Sequence, residues 1–180
     1  MANVFFISDL HLGHRNILKF SGDYRDGDTT EQHDEILIHK INTRVKKNDK
    51  LFILGDVVWK GHDLSVLNRI RGQKELIIGN HDTYNITEYQ KYFAKIHGFR
   101  KFNGFWLSHS PIHPDELRGR KNIHGHVHHN YIMKKFLGYP YARDERYIPV
   151  TVEALGGYPI SYEELLVKNG DTSRFGKSPE

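Results

Sequence analysis

Apolar residues fall along the chain in two rhythms. One is the short run bounded by polar or glycine residues. Asn3 to Ser8, Leu51 to Leu54, Glu75 to Ile78 and Phe105 to Ser108 each have the length of a buried strand. The other is helical spacing. Ile38, Ile41 and Val45 recur at i, i+3 and i+7, which predicts a helix over Thr30 to Val45, opened by a Thr29-x-x-Gln32 capping box. Val66, Leu67 and Ile70 predict a short helix over Leu64 to Arg71. Thr87 with Gln90 opens a helix expected to reach Lys95, and Ser161 with Glu164 opens one through Val167. Two further strands are expected at Lys121 to His128 and at Arg146 to Leu155. The first half alternates strand and helix, which predicts an α/β fold with a largely parallel sheet. The second half is richer in strand and predicts a second, mixed sheet packed face to face on the first, with helices outside. One domain over 1–170 accounts for these elements, followed by a polar tail from Asp171 to Glu180.

Composition narrows the chemistry. Cysteine is absent, which removes disulfides, thiol nucleophiles, zinc fingers and iron–sulfur clusters. Histidine is abundant, 13 residues against 10 Phe and 10 Tyr, and it forms no terminal run. A metal site in this chain must therefore use nitrogen and oxygen ligands, a set that suits Mn, Fe, Zn, Co or Ni. The net charge of +4 gives a mild attraction for anions. The apolar runs are far too short to span a bilayer and no secretory leader is visible, so the expectation is a cytoplasmic protein with no membrane partner.

The polar residues gather where the strands end. Val4 to Ser8 is followed by Asp9 and His11, and Leu51 to Gly55 by Asp56. Leu76 to Gly79 is followed by Asn80, His81 and Asp82, and Phe105 to Ser108 by His109. Lys121 to Ile123 is followed by His124, His126 and His128, expected to share one strand face. Ligands of open α/β sheets bind at the carboxyl ends of the strands, so these side chains converge on one crevice. Gly55, Gly79 and Gly125 each precede a candidate ligand and permit close backbone approach. The set holds two Asp, one Asn and four or five His, nearly twice what one tetrahedral metal takes, and two metals are the economical reading.

Asp9-x-His11, Gly55-Asp56, Gly79-Asn80-His81-Asp82, Ser108-His109 and Gly125-His126-Val127-His128 resemble, in order and spacing, the calcineurin-like metallophosphoesterases. Ser8 to His14 with Asn16 looks like the small bacterial and phage-type members. The resemblance implies a four-layer α/β/β/α sandwich and a dinuclear metal-dependent phosphoesterase. It implies that Asp9, His11 and His128 bind one metal, that Asn80, His109 and His126 bind the other, and that Asp56 bridges. His81 would be the catalytic histidine, and a hydroxide bridging the metals would attack phosphorus. Two divalent ions are implied, Mn first, with Fe, Zn, Ni or Co as alternatives.

The chain departs from the larger phosphatases of that family after the bridging Asp. Trp59 stands where the carboxylate partner of the histidine belongs, Lys60 where an arginine grips phosphate, and Asp63 is a substitute partner. His14, Lys60 and Asn80 are the candidate substrate contacts. His33, His39 and His97 are expected to be solvated. The expected partner is a small phosphate ester, with nucleic acid allowed but not required, and a nuclease or a non-catalytic metal-binding scaffold of the same fold are the alternative readings.

Overall fold

The structure is a computed structural model that describes residues 2–170. The expected tail from Asp171 lies outside the described residues. The chain opens with β1 (Val4–Ile7), α1 (Ile17–Ser21), α2 (Thr30–Arg44), β2 (Lys50–Ile53), β3 (Gln73–Ile77), α3 (Ile86–Tyr89) and β4 (Lys95–His97). It continues with β5 (Arg100–Phe102), β6 (Phe105–Ser108), β7 (Lys121–His124) and the hairpin of β8 (Met133–Phe136) and β9 (Tyr139–Arg143). It closes with β10 (Tyr147–Pro149), α4 (Val152–Leu155), β11 (Ile160–Ser161) and α5 (Tyr162–Lys168).

The fold is α/β with two mixed sheets. The first runs β11-β1-β2-β3-β4 and is parallel except where β11 pairs with β1. The second runs β10-β7-β6-β5 and is parallel except where β5 pairs with β6. Strand alternation divides the core in two. Phe5 and Ile7 pack with Leu37, Ile38 and Ile41 of α2 on one side of the first sheet. Val4 and Phe6 pack with Phe102, Leu107 and Ile123 of the second sheet and with Leu165 and Leu166 of α5. Strands buried on both faces explain why the early runs are uniformly apolar. Among the described residues no helix is long and apolar enough to cross a membrane.

Several expected elements are shorter than their patterns suggested. The expected helix from Thr87 is a single turn that starts at Ile86, after Asn85, whose N–H donates to the Glu88 carboxylate at 3.1 Å. Its continuation is lost because the Ala94 N–H goes to the Lys74 carbonyl at 2.8 Å and leads the chain into β4. The expected helix over 64–71 is a 3-10 helix, Leu64–Arg69. The strand expected to reach His128 stops at His124, and the one expected over Arg146 to Leu155 stops at Pro149. Thr151 then caps α4 instead, its Oγ1 accepting from the Ala154 N–H at 3.1 Å. β4, β5, β8, β9 and β11 have no counterpart in the sequence pattern.

Phe6 is fully buried between the sheets, stacked on Phe52 with ring centroids 5.4 Å apart and edge-on to Phe102 at 5.7 Å. Phe6→Ala should lower the unfolding free energy by about 3–5 kcal/mol in chemical denaturation, because the sheets cannot close on the void. A loss below about 1 kcal/mol would contradict rigid inter-sheet packing at this point.

Candidate metal centre

The five strand-end blocks meet at one end of the sheets, and their backbones are unusual. Asp9, His11, Asp56, His126 and His128 all have positive φ, at 59°, 50°, 55°, 72° and 51°. Non-glycine residues rarely hold this left-handed conformation, and each such residue carries about 1–3 kcal/mol of strain. Inter-loop hydrogen bonds impose it. The Asp9 N–H donates to the Gly55 carbonyl at 3.0 Å, His11 N–H to the Asp56 carbonyl at 2.9 Å, and Gly125 N–H to the His109 carbonyl at 2.9 Å. The expected row of His124, His126 and His128 on one strand face is therefore replaced by a looped path. His124 is buried apart, its Nδ1 donating to the Gly125 carbonyl at 2.8 Å, and it belongs to neither metal-sized group below.

Two glycines are demanded by contact. A Cβ at Gly79 would stand 2.2 Å from Asp56 Oδ1, and one at Gly125 would stand 2.5 Å from Asp9 Oδ2. Neither carboxylate could keep its place beside a larger residue.

Asp9 is fully buried and accepts the His126 N–H on both oxygens, at 3.1 and 3.0 Å. Asp56 Oδ1 accepts the His81 N–H at 2.9 Å. Asp56 Oδ2 lies 3.6 Å from His11 Nε2 and 3.4 Å from His109 Nε2. Two ligands about 2.0–2.2 Å from one tetrahedral ion stand roughly 3.4 Å apart, so these separations match ligand pairs sharing a cation. Asp9, His11 and His128 bring one potential ligand atom each within 4.8 Å of one another, and so do Asp9, Asp56 and His109. Asp9 thus belongs to both groups. Asn80 Oδ1 is 2.9 Å from His109 Nε2, and the His126 ring centroid is 5.1 Å from that of His109.

The donor atoms suit a metal. His11 Nε2 is buried and has no hydrogen-bond partner. His109 Nδ1 donates to the Leu54 carbonyl at 2.8 Å, and His128 Nδ1 donates to Glu153 Oε1 at 2.9 Å. In each case Nε2 is the nitrogen available to the cluster, the outer-contact arrangement that orients metal-bound histidines.

The electrostatics are those of a site short of positive charge. Burial pushes Asp9 up to about 6. Burial also drives His11 down to about 3, which keeps its lone pair free. Burial would lower His109 too, but its hydrogen bond to Asp56 and the charges of Asp9 and Asp56 raise it to about 9. Two carboxylates are thus strong enough to hold a proton on a buried imidazole, in the place where a cation would satisfy them better.

Sequence reasoning missed the outer layer. Arg25 is buried and joined to Glu153, with NH2 2.7 Å from Oε1 and Nε donating at 2.8 Å. It also donates to the Asp9 carbonyl at 2.7 Å and the Leu10 carbonyl at 3.1 Å. His33, expected to be solvated, is buried against Arg25 at 3.2 Å and against Asp34 at 3.0 Å. Asp34 in turn accepts the Gly13 N–H at 2.8 Å. A solitary Arg25 and Glu153, 128 residues apart, carry no motif that could have revealed them. Asp82 clamps two ligand loops, accepting the N–H groups of Asp56, Val57 and Gly79 at 2.9, 3.0 and 2.8 Å.

The remaining candidates sit at the mouth. His81 is exposed, its ring 5.1 Å from Trp59 and 5.7 Å from His11 by centroids. His14 packs on Trp59 at 3.6 Å, its Nδ1 accepting the Asn16 N–H at 3.1 Å. Lys60 is exposed on the loop after Trp59. Asp63 is not the substitute partner of His81: its oxygens accept from the Ser65 N–H at 2.8 Å and the Ser65 hydroxyl at 2.5 Å.

Fold and site together define an α/β protein of two mixed sheets with a buried Asp/His cluster able to bind a metal. Over 176 residues the chain is 30% identical to the uncharacterized protein MJ1445 of Methanocaldococcus jannaschii, covering 93% of this chain and 91% of that one, and it belongs to that protein's family. The Gene 66 protein of Mycobacterium phage L5 is 38% identical over 87 residues, 46% of this chain and 41% of the phage protein. The crystal structure of AQ665 from Aquifex aeolicus, a protein of unknown function, superposes with a TM-score of 0.70 at 27% identity, covering 92% of this chain and 98% of that one. No family model matches.

Burial alone would raise Glu153, yet the His128 hydrogen bond and the Arg25 charge hold it at about 2. A carboxylate depressed below its ordinary 4.5 stabilises the fold fully above that value, and the contribution disappears as pH falls through about 2. Glu153→Gln should therefore be less stable than the parent at pH 7. The difference should narrow steadily between about pH 4.5 and 2 in denaturant titrations. A constant difference across that window would remove the charge from the explanation.

Proposed function

We propose that this chain is a metal-dependent phosphoric ester hydrolase of the calcineurin-like metallophosphoesterase type, with two divalent cations and a four-layer α/β/β/α arrangement. The observation that carries the reading is Asp56 Oδ2, 3.4–3.6 Å from the Nε2 atoms of His11 and His109, with His11 Nε2 buried and unpartnered. One carboxylate oxygen between two such imidazoles supports a bridging role. Two divalent cations, manganese in this reading, supply Lewis acidity toward phosphoryl oxygens and activate water as the nucleophile.

The chain's own groups hold and complete that arrangement. Asp9, His11 and His128 would hold one cation, and Asn80, His109 and His126 the other. Glu153 and the Leu54 carbonyl fix the imidazoles of His128 and His109. His81, exposed beside Trp59, donates a proton to the leaving oxygen. His14 uses Nδ1 to accept from Asn16, which leaves its Nε2–H to donate to a phosphoryl oxygen. Lys60 adds positive charge at the rim. Asn80, His81 and His126 are all exposed, and such an open mouth suits a phosphodiester as well as a monoester.

Chelated protein should be inactive on bis-p-nitrophenyl phosphate, and Mn should restore it. Asp56→Asn should lower metal occupancy to well under two per chain by elemental analysis. Full activity after exhaustive chelation would sink the metal-dependent reading, and two tightly held metals in Asp56→Asn would remove Asp56 as the bridge. A structurally intact protein that binds metal but turns over no phosphate ester would be the scaffold alternative.

His81 is tested by the leaving group. An alkoxide needs a proton as it departs, whereas p-nitrophenolate hardly does. His81→Ala should slow an alkyl ester by roughly 10²–10⁴-fold and a p-nitrophenyl ester far less. Equal losses would mean that His81 stabilises phosphoryl oxygens instead of protonating the leaving group.

A further inference from the structure

The β8–β9 hairpin has a composition that neither the core nor the metal cluster explains. Phe136, Tyr139 and Tyr141 are 71%, 77% and 64% exposed. A two-stranded ribbon is marginal on its own and normally covers such rings. Lys134 and Lys135 precede these rings and Arg143 follows them, all three exposed, and no acidic residue occurs from Asn130 to Arg143. The Arg143 guanidinium lies 4.0 Å over the Tyr131 ring. Asp144, the next residue, is bound by Arg146, its Oδ2 2.6 Å from the guanidinium.

The hairpin also grows out of the candidate site. Met133 lies five residue steps after His128, so their Cα atoms cannot be more than about 18 Å apart. The intervening His129 stacks on exposed Tyr24, centroids 4.9 Å apart and planes 3° from parallel. Phe20 stands edge-on to His14 and is 72% exposed. Exposed aromatic rings therefore stand both beside His14 and on the segment that leads into the ribbon.

We infer that this hairpin is an arm that binds single-stranded nucleic acid, stacking bases on Phe136, Tyr139 and Tyr141 and pairing phosphates with Lys134, Lys135 and Arg143. Exposed rings flanked by cations and free of carboxylates are the combination that holds a single strand without sequence preference. A second copy of the chain fits less well. Pairing two ribbons would bring like charges together, and Pro140 in β9 offers no N–H to a new ladder. The inference extends the phosphodiester reading of the site but does not need turnover to be tested.

The test is fluorescence anisotropy with labelled oligothymidylate and oligouridylate, with chelator present so that nothing is cleaved. The parent protein should bind both. Phe136→Ala/Tyr139→Ala/Tyr141→Ala should weaken binding at least about tenfold with every cation retained. Lys134→Gln/Lys135→Gln should lower the slope of log K against log salt by about 1.4, two phosphate contacts on a single strand. Both variants should keep the parent's melting temperature and its rate on bis-p-nitrophenyl phosphate. If no ester is hydrolysed but the oligonucleotides bind through the hairpin, the phosphoesterase reading fails and the arm stands. An aromatic variant that binds like the parent overturns the arm. So does a parent protein that ignores oligonucleotides, whether or not the hairpin directs it to phosphatidylserine vesicles or to self-association.

Discussion

Asp9 and Asp56 place two carboxylates at the ends of adjacent strands, both almost without solvent contact. Buried charge of one sign has to be answered nearby. The protein answers with the N–H groups of His126 and His81 and with the imidazole of His109. The nearest guanidinium is already engaged: Arg25 holds Glu153 and two carbonyls. Neutral donors and one imidazolium leave the pair under-compensated. That is a deficit a bound cation would answer, and the rest of the local design follows from keeping the two groups where they are. Gly79 and Gly125 leave them room.

Holding the ligands there needs the two sheets. Five left-handed residues at about 1–3 kcal/mol each would relax if the loops were free. They are not free, because each ligand loop is bonded to another loop or sheet: Asp9 to Gly55, His11 to Asp56, Gly125 to His109, and Val150 to His124. The second sheet therefore delivers His109, His126 and His128 to carboxylates carried by the first. Inter-sheet packing around Phe6 and Phe52 sets that distance, which links an apolar contact to ligand geometry. The Arg25–Glu153 pair adds a second tie. It joins the loop after α1 to α4, and it reaches both the Asp9 backbone and the His128 ring.

Much of this was legible because strand-end chemistry is local in sequence. Apolar runs followed at once by Asp9, Asp56, Asn80 or His109 gave both the strands and the residues that the fold gathers. Glycines before Asp56, Asn80 and His126 carried the close-approach signal. What stayed hidden has a common cause. His126 and His128 left the strand path because Asp9, more than a hundred residues away, captures the His126 N–H. His33 looked like a surface residue because its burial depends on Arg25 and Asp34 meeting beneath the site. α3 ended early because β3 claims the Ala94 N–H. The β8–β9 hairpin was invisible for the opposite reason. It buries little, and its residues show no periodicity that a core would impose.

Trp59 and Asp82 together show how His81 is set at the mouth without a carboxylate partner. Asp82 follows His81 in sequence, but its oxygens face the N–H groups of Asp56, Val57 and Gly79, so it organises backbone and does not orient the ring. Trp59 is the ring neighbour of both mouth histidines, with centroids 3.6 Å from His14 and 5.1 Å from His81. An aromatic wall fixes where an imidazole stands but makes no claim on its nitrogens. Among the described residues no hydrogen bond reaches either ring nitrogen of His81. A carboxylate partner would commit one nitrogen and set a single direction for the proton. A ring held only by packing keeps both nitrogens free, and in the phosphoesterase proposed above an exposed mouth with few fixed donors would favour substrates held from outside it. An extended ligand gripped by the proposed arm would need less recognition at such a centre than a small one, because positioning can be supplied by binding remote from the chemistry.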